Sequence, residues 1–322
     1  MRGLDWRFVF ATVGRLAVVG WFVAYSAWLV RGALDLRIVG GDAAIYAAAA
    51  RAWLAGGDPW ATSIQWGPYG DPVLFAAPPS SLLFSAPFAF MPEAVVRATW
   101  VSLDAIVLVL VVRRLRLAWW WCLFPPAVSA TTVGNAEPVV LGLLVLGGGR
   151  LAALAPLLKP YAVMPLLADR RWRDLAIAAC LLGASVLILP WGRFIADLDL
   201  VRESLIRQTA GGLSALSVPW LIPLGLVGLA ALGWRRGLWL AVPVLWPLSQ
   251  LHYATVTMPV LSLVTGFGFS LPIPGAAAVA VFARALADRL PRLAWRWASG
   301  HSERRDEIEP QPAGEDGETA TV

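Results

Sequence analysis

Long apolar runs alternate with short polar segments along most of this chain. The clearest apolar runs are Phe8 to Val30, in which Arg15 is the only charge, and Leu175 to Trp191. A helix of about 20 apolar residues can cross the hydrocarbon core of a bilayer. The first run is longer than the apolar core of a signal peptide, and no small-residue cleavage site follows it. We therefore predict that it is a retained transmembrane helix.

The other apolar segments predict an all-α fold, a polytopic bundle of about ten transmembrane helices. Several segments are too short to cross straight, and prolines interrupt one of them. At least one span is therefore expected to be a broken or re-entrant helix, which needs a protein-buried or watery cavity beside it. The further predicted spans are Pro79 to Met91, Ala94 to Val112, Trp119 to Val133, Pro138 to Gly148, Leu151 to Ala168, Leu175 to Trp191, Leu213 to Leu232, Leu238 to Leu248, His252 to Gly266 and Leu271 to Leu286.

Polar segments divide the chain into a membrane domain and a tail. The membrane domain is predicted over residues 1–296, with outer loops at 31–75 and 193–212, and residues 297–322 are predicted to be a disordered polar tail. Within the first loop, a short juxtamembrane helix is predicted to start at Asp42 and to stop at Gly56. Its apolar residues Ile45, Tyr46, Trp53 and Leu54 are available to lie on the membrane surface.

Composition and charge agree with a membrane protein. The chain is 58% hydrophobic and 15% charged, and its mean hydropathy is +0.67. Its formal charge of +5 comes mostly from arginines beside the predicted spans. This pattern fits the positive-inside rule better than nucleic-acid binding, and it predicts a multi-pass cell-membrane protein with both termini in the cytoplasm and the two outer loops outside.

Lys159 is the only lysine among 26 basic residues, and it lies within an apolar stretch. An ionisable group inside a membrane domain is costly and often functional, so Lys159 is a candidate cation for an anionic ligand such as a lipid phosphate. The alternative is a lysine that snorkels to a headgroup from a broken helix.

Further polar residues are candidates for a site. His252 suits contact with a phosphate or proton transfer, or it is a satisfied core histidine next to Tyr253, and Ser249 lies on the same helical face. Asp42 is either a helix N-cap or a general base beside the membrane, roles that do not exclude each other. Asn135 is followed by Glu137, which could be only a helix-start acid.

Several kinds of function find no support in the sequence. It contains no phosphate-binding loop, nucleotide-binding motif, metal-ligand pair or Ser/His/Asp arrangement. Cys122 and Cys180 lie in apolar runs and indicate neither a disulfide framework nor a metal site. The polar residues alone specify a polar cavity and no particular reaction.

Taken in order, the early motifs of the chain resemble those of GT-C glycosyltransferases. The resemblance is to the polyprenyl-phosphate-mannose-dependent alpha-mannosyltransferases (GT87, also DUF2029). That family has an outer-loop Asp followed by Tyr and an alanine-rich helix, a Pro-Pro pair before a leucine-rich span, a Gly-Gln-x-Asn element and a Lys-Pro element. The matching residues here are Asp42, Tyr46, Leu54, Gly56, Pro78, Pro79, Met91, Pro92, Gly134, Asn135, Lys159 and Pro160.

Two later motifs continue the resemblance. The family's outer-loop Asn-Gln-Ser, with a Gly three residues after the Gln, is matched in part by Arg207, Gln208, Thr209 and Gly211. Its Pro-x-Ser-Trp-x-His-His motif has a proline six residues beyond the second His. Here Pro247, Ser249, His252 and Pro259 keep that spacing, with Gln250 in place of Trp and Tyr253 in place of the second His.

The resemblance implies an inverting transfer of a sugar, mannose in that family, from a polyprenyl phosphate to a lipid or glycan acceptor hydroxyl at the outer membrane face. Asp42 would be the base. Lys159, His252, Arg207 and Gln208 would bind the donor phosphate, and Tyr46, Asn135, Ser249 and Tyr253 would line the cavity. The implied partners are the lipid-linked sugar, the acceptor and membrane lipids. No cofactor is implied, and metal dependence stays open.

Two other classes of function compete with this interpretation. A transporter or flippase also uses broken helices and intramembrane charges, although its usual internal repeat is not visible here. A non-catalytic scaffold derived from the enzyme family would explain the reduced motifs.

Overall fold

The computed structural model describes residues 6–65, 72–209, 219–247 and 249–261, all within the first of two units, residues 1–282. This part is mostly helical, as the sequence predicted. Its α-helices and strands are α1 (Trp6–Asp35), α2 (Gly41–Leu54), β1 (Ser63–Gln65), β2 (Pro72–Leu74), α3 (Ser81–Ser85), α4 (Glu93–Arg114), α5 (Pro125–Val133), α6 (Glu137–Leu146), α7 (Ala155–Leu158), α8 (Val163–Ala168), α9 (Trp172–Ile188), α10 (Trp191–Ala196), α11 (Leu198–Thr209), α12 (Ile222–Ala231), α13 (Trp234–Leu245) and α14 (Met258–Leu261). Short 3-10 helices cover Ala86–Phe88, Trp119–Leu123, Leu151–Leu154, Pro160–Ala162, Pro219–Leu221 and Leu251–Thr257.

Two described helices are long and apolar enough to cross a membrane. They are Leu16–Asp35, the larger part of α1, with 20 residues and a hydropathy of 1.4, and α4, with 22 residues and a hydropathy of 2.1. The helices α5 and α6 meet at an angle of 117° and would make a third span, or a re-entrant loop, as a pair. The prediction of about ten spans goes beyond these and stays a prediction.

Prolines and short helices explain why many apolar stretches do not form single long helices. The stretch from Leu151 to Ala168 forms two 3-10 turns and the short helices α7 and α8, with Pro156, Pro160 and Pro165 each in the first turn of a piece. A proline lacks the amide hydrogen that a helix interior requires, so it is tolerated where a helix starts. The segment Pro79 to Met91 likewise contains only α3 and one 3-10 turn, too short for one spanning helix.

The predicted first outer loop, residues 31–75, shares an apolar cluster with α3, α10 and α11. Helix α2 forms as predicted, but Ile45 and Tyr46 are 4% and 9% exposed and pack inward with Trp60, Phe75 and other apolar side chains. The predicted place on the membrane surface is therefore wrong for Ile45 and Tyr46, whereas Leu54, at the end of the helix, is 47% exposed. Strands β1 and β2, which the sequence did not predict, pair antiparallel with Ile64 opposite Val73. The predicted loop at 193–212 is helical where described, as α10 and α11, and the predicted tail lies outside the described residues.

The helices that position the site pack in a chain of neighbours. Helix α2 contacts α4 and the end of α5, α4 contacts α6, and both α5 and α6 contact the 3-10 helix Leu251–Thr257. Residues far apart in sequence therefore meet around the break between α5 and α6.

Candidate active site

Two glycines bring the start of α2 against the end of α5. Gly40 and Gly134 have φ angles of +67° and +70°, in the left-handed region that favours glycine. A Cβ built on Gly134 would lie 3.1 Å from the Gly40 Cα and 3.2 Å from the Ala43 Cβ, and the Gly40 amide donates to the Thr132 carbonyl over 2.9 Å. Asp42, in the first turn of α2, is thereby held beside the residue after Gly134.

The break between α5 and α6 is a defined turn. The amides of Gly134 and Asn135 donate to the carbonyls of Thr131 and Ala130, which is the hydrogen-bond pattern of a Schellman motif at a helix end. Helix α6 then starts at Glu137, followed by Pro138 in its first turn. The break therefore exposes the polar side chains of Asn135 and Glu137 to the neighbouring helices.

Asn135 links Asp42 to His252. Its Nδ2 donates to Asp42 Oδ2 and lies 3.1 Å from His252 Nε2. Asn135 and His252 are buried, and Asp42 is half-buried. Helix α2 begins at Gly41 after Gly40 and has no side-chain cap, so the N-cap role considered for Asp42 is wrong.

Glu137 is the counter-ion of the site. It is fully buried, and its Oε1 accepts a hydrogen bond from the Tyr161 hydroxyl over 2.8 Å. The same oxygen lies 3.4 Å from Lys159 Nζ and 4.0 Å from His252 Nε2. Its position at the start of α6 matches the helix-start acid considered from the sequence, but its side chain neutralises a buried cation.

Lys159 is buried, with 8% of the residue exposed, between α7 and the following 3-10 turn. Its Nζ lies 5.9 Å from the ring centre of Tyr46 and 5.4 Å from that of Tyr253, within reach of cation–π attraction. The ion pair with Glu137 and the two rings hold the ammonium inside the protein. The interpretation that Lys159 snorkels to a lipid headgroup is therefore wrong.

Several of these groups line one end of a cavity of about 950 Å³. Its polar end includes Asp42, Asn135, Lys159, Ser249, His252 and Tyr253. Its other walls are largely apolar and include Val73, Phe75, Trp191, Phe194, Leu198 and Leu205. An apolar pocket with a few converging polar groups is typical of a small-molecule or lipid binding site.

The pKa of Asp42 is raised from 3.8 to about 7. Burial is the largest cause, because it disfavours the charged carboxylate, and the nearby Glu137 carboxylate raises the pKa further. The Lys159 ammonium and the hydrogen bond from Asn135 lower it in part. Asp42 can therefore both accept and release a proton near neutral pH, as a general base requires.

The structure brings together most of the residues that the sequence singled out. The following all line the cavity: Asp42, Tyr46, Asn135, Lys159, Ser249, His252 and Tyr253. Arg207 and Gln208 lie near the end of α11, but their side chains are outside the described part of the structure. Among the described residues, no group of three His, Cys, Asp or Glu side chains is arranged to hold a metal ion.

Sequence reasoning missed the role of Glu137 and the presence of Tyr161 and Arg202 at the site. Glu137 is the only charged residue between Arg116 and Arg150, and Lys159 is the only one between Arg150 and Asp169. Two isolated opposite charges in apolar surroundings are expected to pair, so this signal was available in the sequence. No comparable signal marks Tyr161 or Arg202.

Comparisons with known proteins found no relative of this chain. The chain matches no protein-family model, no curated protein and no solved structure. The resemblance to GT-C glycosyltransferases thus depends on the motif residues alone.

Proposed function

We propose that this chain is a membrane glycosyltransferase that moves a sugar from a polyprenyl-phosphate donor to an acceptor hydroxyl at the extracytoplasmic face, with Asp42 as the base. One observation carries the proposal. A carboxyl group with a pKa of about 7 stands at the polar end of a largely apolar cavity, beside a buried lysine. The choice of mannose as the sugar follows from the family resemblance.

The shape and lining of the cavity suit an amphipathic, lipid-linked donor. The apolar walls formed by Phe75, Phe194 and Leu205 suit a polyprenyl chain. The donor phosphate needs cations. Lys159 is already paired with Glu137, and we assign a second positive charge to the exposed Arg202 on α11, which also lines the cavity.

The reaction that fits these groups is a single displacement. Asp42 takes the proton of the acceptor hydroxyl as that oxygen bonds to the anomeric carbon. The bond between the anomeric carbon and the phosphate oxygen breaks, and polyprenyl phosphate leaves with the bonding electrons. Lys159 and Arg202 stabilise the negative charge that develops on the leaving phosphate. One displacement inverts the anomeric configuration.

A transporter or flippase is the second candidate, favoured by the break between α5 and α6. Transporters commonly place polar groups at the break of a discontinuous helix, as Asn135 and Glu137 are placed here. Such a protein would move a lipid-linked sugar across the bilayer without breaking the bond to its phosphate.

Reconstitution in liposomes separates the candidates. Purified protein would be given polyprenyl-phosphate-mannose with a labelled sugar, together with a membrane lipid extract as acceptor. Label joined to the acceptor, with inverted configuration, supports the transferase. Movement of intact donor between leaflets without product supports the flippase. Donor binding with neither product nor movement supports a non-catalytic scaffold and overturns the proposal.

A further inference from the structure

The side-chain amide of Asn135 serves two neighbours at once. One nitrogen, Nδ2, donates to Asp42 Oδ2 and lies 3.1 Å from His252 Nε2. The residue is 5% exposed, and its own backbone amide is tied to the Ala130 carbonyl over 2.9 Å. Burial and this backbone hydrogen bond therefore restrict the hydrogen-bond partners that the Asn135 side chain can reach.

The chemistry of these three groups fixes where the protons are. Above its pKa of about 7, Asp42 is an ionised carboxylate that only accepts hydrogen bonds, so at mildly alkaline pH the NH₂ end of the Asn135 amide must face Asp42. That nitrogen carries two hydrogens, and the second is available to His252 Nε2. A ring nitrogen that accepts a hydrogen bond carries no hydrogen, and therefore the proton of a neutral His252 must be on Nδ1.

We propose that Asn135 is a positioning residue that orients the Asp42 carboxylate and, with the same amide nitrogen, holds His252 as the neutral tautomer protonated at Nδ1. His252 then supplies no positive charge to a bound phosphate, contrary to the role that the family resemblance suggested, and that charge comes from lysine and arginine. The role of Asn135 toward a catalytic base rests on the proposed function. The tautomer of His252 does not.

The reversed amide orientation is incompatible with an ionised Asp42. It would place Asn135 Oδ1 against a carboxylate oxygen, and two acceptors repel each other. In the observed orientation, Oδ1 finds no hydrogen-bond partner among the described residues. In this orientation Nδ2 hydrogen-bonds to both Asp42 and His252, while Oδ1 makes no hydrogen bond to the described residues.

Nitrogen NMR of labelled histidine tests the tautomer without any need for turnover. The chain has two histidines, His252 and His301, so the variant His301→Gln leaves a single signal pair from the site. The full-length protein, labelled with ¹⁵N-histidine and reconstituted in lipid, would be measured at mildly alkaline pH. We expect a protonated Nδ1 and an unprotonated, hydrogen-bonded Nε2. A ring protonated at Nε2, or on both nitrogens, overturns the proposal.

Replacement of Asn135 by alanine is the second test of the tautomer. In Asn135→Ala, we expect the Nδ1-protonated form to lose its dominance, while the control Thr131→Val, which changes a nearby hydroxyl on α5, should leave the spectrum unchanged. An unaltered tautomer in Asn135→Ala overturns the proposal.

If transfer activity is found, the acidic limb of its pH–rate profile should move up by about one unit in Asn135→Ala, because the carboxylate loses a donor. An unmoved limb overturns the role toward Asp42 and leaves the proposed reaction standing.

Discussion

Among single residues, the pKa of Asp42 is set by opposing electrostatic effects. Burial and the Glu137 carboxylate favour its neutral form, whereas Lys159 and the Asn135 amide favour its charged form. The balance leaves its pKa at about 7, where a small change in surroundings alters the ionised fraction strongly. The behaviour of Asp42 is therefore a sensitive test of the site.

We predict that the rate of sugar transfer rises as the pH is raised through about 7. Only the ionised form of Asp42 can take a proton, and its ionised fraction grows about tenfold for each pH unit below the pKa. The measurement is the transfer rate at low donor concentration as a function of pH. A rate that falls over this range would contradict the role of Asp42 as the base.

Gly134 allows a second test at this scale. Gly134→Ala should cost about 1–2 kcal/mol in backbone strain from its left-handed conformation, and more because its Cβ would meet Gly40 and Ala43. We expect a lower unfolding temperature and a loss of transfer, because Asp42 is displaced from Asn135. Gly149→Ala is the matched control, since Gly149 has a φ of +75° but open space around its Cβ position. Equal effects of the two substitutions would contradict the close approach of α2 to α5.

Most residues of the site were predictable from the sequence, but the contacts of Asn135 were not. Lys159 stood out as a charge in an apolar stretch, and Asp42 as an acid at the start of a helix. Asn135 contacts Asp42 and His252 across 93 and 117 positions of sequence, so their meeting depends on how the helices pack. No local pattern encodes such contacts.

At the scale of elements, the break between α5 and α6 and the turn at Lys159 together hold one buried ion pair. Glu137 comes from the start of α6, and Lys159 comes from the junction of α7 with a 3-10 turn. A buried charge without its partner is much more costly than a buried pair.

We predict that Lys159→Met lowers stability by about 3–5 kcal/mol, because it leaves Glu137 buried and unpaired. The double variant Lys159→Met with Glu137→Gln should recover most of this loss but should not recover transfer, since the phosphate still lacks its cation. Unfolding in detergent and the transfer assay provide the two readouts. A double variant that is no more stable than Lys159→Met alone would contradict the pairing.

The sequence predicted which segments are helical better than it predicted how long each helix is. Helix α2 was expected and forms, because alanines favour a helix and the glycines at its end stop it. The apolar stretches rich in proline were expected as spans and form short pieces instead. Hydropathy measures only transfer from water into an apolar phase, and it does not distinguish a long helix from several short ones.

For the whole molecule, the contacts between α1, α2 and α4 show which ends of the two candidate spans lie together. The end of α1 and the start of α4 lie on the same side as α2, because Arg97 donates to the Val39 carbonyl over 2.8 Å and Arg51 Nε donates to the Ala89 carbonyl over 2.8 Å. The other end of α4 carries Arg113 and Arg114. From the positive-inside rule we predict that this end is cytoplasmic and that α2, with Asp42, is outside.

We predict that this orientation is visible in cysteine labelling. In a background in which Cys122 and Cys180 are replaced by serine, Ala61→Cys should react with a membrane-impermeant maleimide in intact cells. Arg114→Cys should react only after the membrane is permeabilised. The reversed pattern would contradict an extracytoplasmic site.

A single-turnover measurement shows directly whether Asp42 acts as the base of a sugar transfer. Wild-type protein, Asp42→Asn and the control Asp35→Asn, which changes an exposed acid of the same outer segment, would be saturated with labelled polyprenyl-phosphate-mannose and given acceptor. We predict that Asp42→Asn binds the donor but transfers at least about 100-fold more slowly than the wild type, while Asp35→Asn transfers normally. Equal transfer by Asp42→Asn and the wild type, or no transfer by a folded wild type that binds the donor, would contradict the account.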